Sequence, residues 1–569
     1  MKKVYLLLLS ILCFVSTPKA QQEIDFNQFK RLQSSGKVPD DITKLYIEKY
    51  NDDKSTIEKS NRRSENKAKD QFLQESNFYI NQLLISGKVL FNDPVTKYIN
   101  VIADNILKEE PELRKTLRFY VVKSPSVNAF STDKGIIFVN LGLIAQVTSE
   151  AQLAYVLSHE IVHYVRKHNM DFYMTKNKIL KNKRYENDDV DESFLKVHHR
   201  SREMESDADN YGLTDYYSKS NYSLSEIDGA MDVLQYAYLP FDDIKFDKSY
   251  FESPYFKFPD TYRLENLTPI KGKEDYEDTL STHPNVLKRR EALKELVKSM
   301  DNKGKQAFVQ PKELFNTVKT LARFECINQF IIDQNYDDAI YNSYIMLKEY
   351  PNNFYLEKSI TTSMYLLAKL RLDGKMSNGM TDYKKLEGES QQLNFLLKKL
   401  ERKEVCLVAL RTIWKTYKQH PENEYLAAIK DNMFKDIFKR LDLKTSDLAT
   451  SKDTVNPLTI DTVAVEKANN KYDRIKQKKK NTETKEKQNY FNFMLVDLFQ
   501  DKDFVKDFDK FKKNSKKEDY DEDRVVKRKK RTSNTLSHEE SEEEIAALPE
   551  KINNIIIFNP FLFKDRRTS

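Results

Sequence analysis

The chain has 569 residues, 39% hydrophobic and 32% charged, more than one ordinary hydrophobic core organises, so two or three domains are expected. Its formal charge of +7 falls to +4 once the first twenty residues, with three lysines and no acid, are set aside. So nearly neutral a body gives no electrostatic case for a nucleic-acid partner, and scarce Gly and Pro favour a mainly α protein with a small β-sheet, an α+β class.

The N-terminus, MKKVYLLLLSILCFVSTPKAQQ, joins two lysines to an apolar run from Val4 to Val15 and a small residue at Ala20. That is the layout of a secretory signal over residues 1–20. Leu12 stands before Cys13 where a lipoprotein would carry a small residue. No other run of about 18 apolar residues occurs. The mature chain is therefore expected to be exported, periplasmic rather than extracellular, and without an integral membrane segment. Cys326 and Cys406 then have two open fates, a disulfide or free buried thiols. Residues 21–75 read as a polar lead-in.

The first large domain is expected over 76–300. Apolar residues recur at helical spacing after the Asn92-Asp93-Pro94 turn, and LRFYVVKSPSVNAF and KGIIFVNLGLI read as short neighbouring strands. Next comes SEAQLAYVLSHEIVHYVRKH, which predicts a helix with Ser149 as N-cap and Gln152 completing a capping box. It contains His-Glu-x-x-His at His159, Glu160 and His163. Histidines four apart share a helix face and can chelate one zinc, with the intervening Glu placed as general base. The helix is apolar, and burying these three polar groups without a metal or partners would be costly.

A catalytic zinc needs a third protein ligand. A third His ten residues after the first is excluded, because Asn169 stands there and His168 is out of register. The stretch SREMESDADNYGL offers Glu205, with Asp209 one helical turn on and placed to hold His159 by its outer nitrogen. Glu203 and the pair His198 and His199 are rival ligands.

Residues 234–262 are dense in Tyr and Phe, which either pack beneath a loop or line a peptide-binding cleft. Over 301–440 the pattern changes to paired helices. DQNYDDAIYNSYIMLKEYPNN, with Ala339 at a crossing and Pro351 at the exit, resembles a tetratricopeptide unit; a plain helical hairpin bundle is the other reading. Residues 441–545 form a low-complexity, largely disordered charged linker with one possible amphipathic helix, and 546–569 a strand-like end.

The run Glu205-Ser-Asp-Ala-Asp209 resembles the third-ligand motif of the zinc peptidase family that includes the CAAX prenyl endopeptidases. NAFSTDKGIIFVNLGLI, EAQLAYVLSHEIVHY and STHPNVLKRR match further motifs of that family in the same order, so the resemblance spans about residues 80–295. Without the transmembrane helices of the prenyl proteases, and with apparent repeats behind, the chain looks most like the exported, soluble branch. The resemblance implies a zincin-like domain with one zinc per chain held by His159, His163 and Glu205, Asp209 behind His159, and Glu160 as base. It also implies that His283 steadies the oxyanion and that Asn128, Ala129, Gly135, Ile136, Ile137 and Arg289 meet the substrate, the strand from Gly135 pairing with it. The expected function is an endopeptidase of misfolded or envelope proteins acting through a zinc-activated water. Peptides or unfolded proteins would be substrates and envelope proteins partners of the repeats. An adaptor or chaperone with an idle metal site is the alternative.

Overall fold

The computed structural model describes residues 24–182, 190–272, 286–301, 304–441, 443–450 and 490–515. Helices α1 (Asp40–Thr43), α2 (Tyr46–Thr56) and α3 (Arg63–Ile85) lead into a small sheet built from β1 (Val89–Leu90), β2 (Arg118–Val122), β3 (Ala129–Ser131) and β4 (Ile136–Asn140). Between β1 and β2 run α4 (Pro94–Ile106) and α5 (Pro111–Thr116). Asp93 caps α4, accepting from the Val95 and Thr96 N–H groups, with Pro94 opening the first turn.

The sheet order is β1-β2-β4-β3. β4 runs parallel to β2, with Arg118 opposite Ile136, and antiparallel to β3, with Ala129 opposite Val139. Side chains alternate across the pleat. Phe119, Val121, Ile137 and Val139 enter the main core, while Tyr120, Val122, Ile136 and Phe138 join Leu84 in a smaller one. Both faces of β4 are covered, which is why its sequence is a continuous apolar run. Having a neighbour on each side, β4 offers no edge to a substrate. The expectation that Gly135, Ile136 and Ile137 pair with an extended peptide is therefore corrected: Ile136 and Ile137 are paired within the sheet, Gly135 bonds to Arg118 and Thr132, and the strands at the ends of the order are β1 and β3.

After α6 (Leu141–Gln146) comes the buried helix α7 (Glu150–Val165). Ser149 accepts from the Gln152 N–H, whereas the Gln152 side chain reaches back to the Thr148 N–H, one residue earlier than a capping box places it. Helices α8 (His168–Asn182), α9 (Val190–Tyr211), α10 (Glu226–Gln235) and α11 (Val286–Ser299) follow, and α7 packs against α4, α8, α9 and α10.

The C-terminal region is helical: α12 (Lys312–Ile332), α13 (Tyr336–Glu349), α14 (Phe354–Leu372), α15 (Ser390–Lys399), α16 (Arg402–Gln419) and α17 (Glu424–Lys439). α12 packs on α13 and α13 on α14, then α14 on α16 and α16 on α17. The aromatic stretch is packed rather than open, since Phe246, Phe251, Phe256, Phe258 and Tyr262 are buried in the core of these helices. Residues 490–515 dock there too, with a helix over 502–515 that buries Phe504 and Phe508. Cys326 and Cys406 are free and buried. Among the described residues no helix is long and apolar enough to cross a membrane. The signal-like residues 1–20, His283 and the strand-like end 546–569 lie outside the described residues.

Candidate metal centre

Four residues apart on α7, His159 and His163 turn their imidazoles the same way, and their Nε2 atoms lie 3.0 Å from each other. From α9, Glu205 brings Oε2 to 3.4 Å from His159 Nε2 and Oε1 to 3.4 Å from His163 Nε2. Three ligands tetrahedral about zinc, each about 2.0–2.2 Å from it, stand about 3.3 Å apart. The spacing, the nitrogen and carboxylate donors and their burial all fit that ion. Glu203, the rival on the same helix, is exposed and paired with Arg200. Glu160 follows His159 on α7 and is 2% exposed.

The helices meet closely here because of Gly212, in the turn that ends α9. A Cβ at this position would stand 3.0 Å from the His159 backbone nitrogen. A side chain would therefore push α9 away from α7 and carry Glu205 with it.

Behind the three donors lies a buried polar layer. Asp209 Oδ1 accepts from His159 Nδ1 at 2.9 Å and from the Tyr155 hydroxyl at 2.9 Å. With Nδ1 donating, His159 keeps the Nε2 lone pair for a metal. Arg289, which the family resemblance assigned to substrate, is buried on α11 with its guanidinium fork on Asp209 at 2.6 and 2.7 Å and on Glu205 at 2.8 Å. Burial alone would raise the Asp209 carboxyl, but Arg289 outweighs it and holds the group well below the usual carboxylate range. For His159, burial opposes protonation, yet its bonds to Asp209 and Glu205 prevail and lift it to about 9. Burial pushes the Tyr155 phenol well above its ordinary value, so it stays a donor.

His163 has a different neighbour. Its Nδ1 lies 2.9 Å from Nδ1 of His168, the first residue of α8, which is 5% exposed. Burial lowers the His168 imidazole to about 4. Asn128 and Ala129 lie at and in β3, the strand nearest α7.

Sequence reasoning passed over three contributors. Tyr155 stands one helical turn before His159, a spacing that marks a shared face and was available in the sequence. Glu150, 0% exposed, opens α7 and accepts from the Tyr98 and Tyr222 hydroxyls and the Val309 N–H. Its partners come from distant segments and carry no local signal. His168 is out of register for a ligand in the sequence, and it stands behind one instead.

Comparison with known proteins agrees with this chemistry. The sequence pattern of peptidase family M48 matches residues 95–184, which include His159, Glu160 and His163 but stop short of Glu205. The beta-barrel assembly-enhancing protease of Yersinia pestis is 29% identical over 99 residues, 17% of this chain and 20% of that protein. Its counterpart in Escherichia coli (strain K12) is 30% identical over 99 residues, with the same coverage of 17% and 20%. The mitochondrial metalloendopeptidase OMA1 of Bos taurus is 47% identical over 49 residues, 9% of each chain. The chain thus spans about a fifth of the length of the first of these relatives or less. These matches support a metallopeptidase.

Proposed function

We propose that this protein is an exported zinc-dependent endopeptidase that hydrolyses peptide bonds of unfolded or misassembled envelope proteins. The observation that carries the reading is the convergence of His159, His163 and Glu205, with Glu160 on the turn between the two histidines. When bound, zinc supplies a Lewis acid that polarises the scissile carbonyl and acidifies water. His159 and His163 present their Nε2 atoms, and Asp209 and Arg289 hold His159 and Glu205 in place. Glu160 takes the proton from the attacking water and delivers it to the departing amine. The envelope as the place of action is supported by the signal-like first twenty residues and by the printed name of the relatives. The helical region behind the site offers a surface for envelope partners, as tetratricopeptide-like pairs do.

Glu160→Gln should retain one zinc per chain and lose cleavage of an unfolded substrate such as casein by at least about a hundredfold. Wild-type cleavage rates in that variant would remove Glu160 from the mechanism. Failure of the wild-type chain to hold zinc would remove the function.

A further inference from the structure

A histidine that gives Nε2 to a metal carries its remaining proton on Nδ1, and a buried N–H requires an acceptor. For His159 the acceptor is the carboxylate of Asp209. The Nδ1 of His163 faces the Nδ1 of His168 at 2.9 Å, and the two rings pack edge to face with centroids 4.9 Å apart. We propose that His168 is the positioning residue of His163, accepting its Nδ1–H and so setting the tautomer and ring plane with which His163 presents Nε2. The proposal rests on the metallopeptidase reading above.

The backbone shows how His168 comes to stand there. Five residues beyond His163, it would lie about 140° round an unbroken helix and face away from it. The chain instead leaves α7 at Arg166, and Lys167 takes a left-handed conformation with φ of 53°. That single turn restarts the chain as α8 and swings its first side chain back under His163. A non-glycine residue adopts such a conformation only when its surroundings impose it. The link to His163 is part of those surroundings.

It follows that the two histidines of the centre are unequal. One leans on a carboxylate that is itself locked by Arg289, the other on a second imidazole. If His163 donates Nδ1–H, His168 must hold its own proton on Nε2. Two substitutions separate hydrogen bonding from packing. His168→Phe keeps a ring against His163 but has no acceptor, whereas His168→Asn places a carboxamide oxygen near the position of Nδ1.

The test is zinc affinity of the full chain by chelator competition, with the melting temperature of the zinc-free protein as the measure of folding. His168→Phe should weaken zinc binding by about 10- to 100-fold at an unchanged zinc-free melting temperature. His168→Asn should stay within about threefold of wild type, since the acceptor is restored. Wild-type affinity in the Phe variant would overturn the proposal, as would an equal loss in the Asn variant, because a restored acceptor would then restore nothing. An absence of zinc binding by the wild-type chain would instead count against the metallopeptidase reading itself.

Discussion

Asp209 accepts four hydrogen bonds, from Tyr155, from His159 and twice from Arg289. A buried carboxylate so enclosed stays ionised, and against the opposing effect of burial its bond to His159, with that of Glu205, raises His159 to about 9. The pH dependence of the zinc-free protein follows from the sign of that shift. The folded-state value of about 9 lies above the ordinary 6.5, so protonated His159 stabilises the fold fully below pH 6.5 and progressively less as pH rises through 9. Chelator-stripped protein should therefore lose on the order of 2–3 kcal/mol of stability between these limits, read by denaturant unfolding across the range. A flat profile would argue that His159 is already neutral near pH 7. Of these residues, the sequence disclosed His159, His163 and Asp209 because each follows a fixed helical interval. Arg289 was visible only as a motif residue, because its burial against Asp209 depends on how α11 folds back over α9.

At the scale of elements, the centre depends on two helices crossing at close range and on both ends of α7. Glu150 pins the start of α7 through two tyrosines, and Lys167 turns the chain after its end. Gly212 sets the crossing, because a Cβ there would press on the backbone of Ser158 and His159. Gly212→Ala should cost about 1–3 kcal/mol, because neither backbone can give way as a flexible side chain would. It should also weaken zinc binding, since the displacement separates Glu205 from the two histidines. Calorimetric melting combined with chelator competition measures both effects, and a variant unchanged in either would show the crossing to be loose. The position of β4 belongs to this scale too. Its apolar run announces a strand in the sequence, but not whether that strand is an edge or lies between neighbours, because a sheet is ordered by contacts remote along the chain.

For the whole molecule, the expected boundary near residue 300 is a change of pattern, not a break in packing. The main core runs from Phe29 through the sheet and α7 to α12 and Leu356, with α12 lying on α4 and α6. The lead-in joins these parts. Phe26 and Phe29 pack on Phe324, and the Leu32 N–H donates to Glu325, which also pairs with Lys123 beyond β2. Phe29→Ala should cost about 3 kcal/mol and lower the melting of both regions together, whereas separate melting of the two would mean that the shared core is not cooperative. Calorimetry distinguishes one transition from two.

What the sequence by itself determined is the chemistry confined to single helices. His-Glu-x-x-His and the Glu205–Asp209 interval each act through a repeat of 3.6 residues, which linear spacing encodes fully. The mainly helical class with its small sheet came from composition and periodicity in the same way. Only the tertiary structure decided that Glu205 meets the histidines of α7, that His168 stands behind His163, that β4 is interior and that the aromatic stretch is buried. Those outcomes depend on pairs of elements far apart in the chain. Their juxtaposition is selected by burial of the whole core, and no local interval records it.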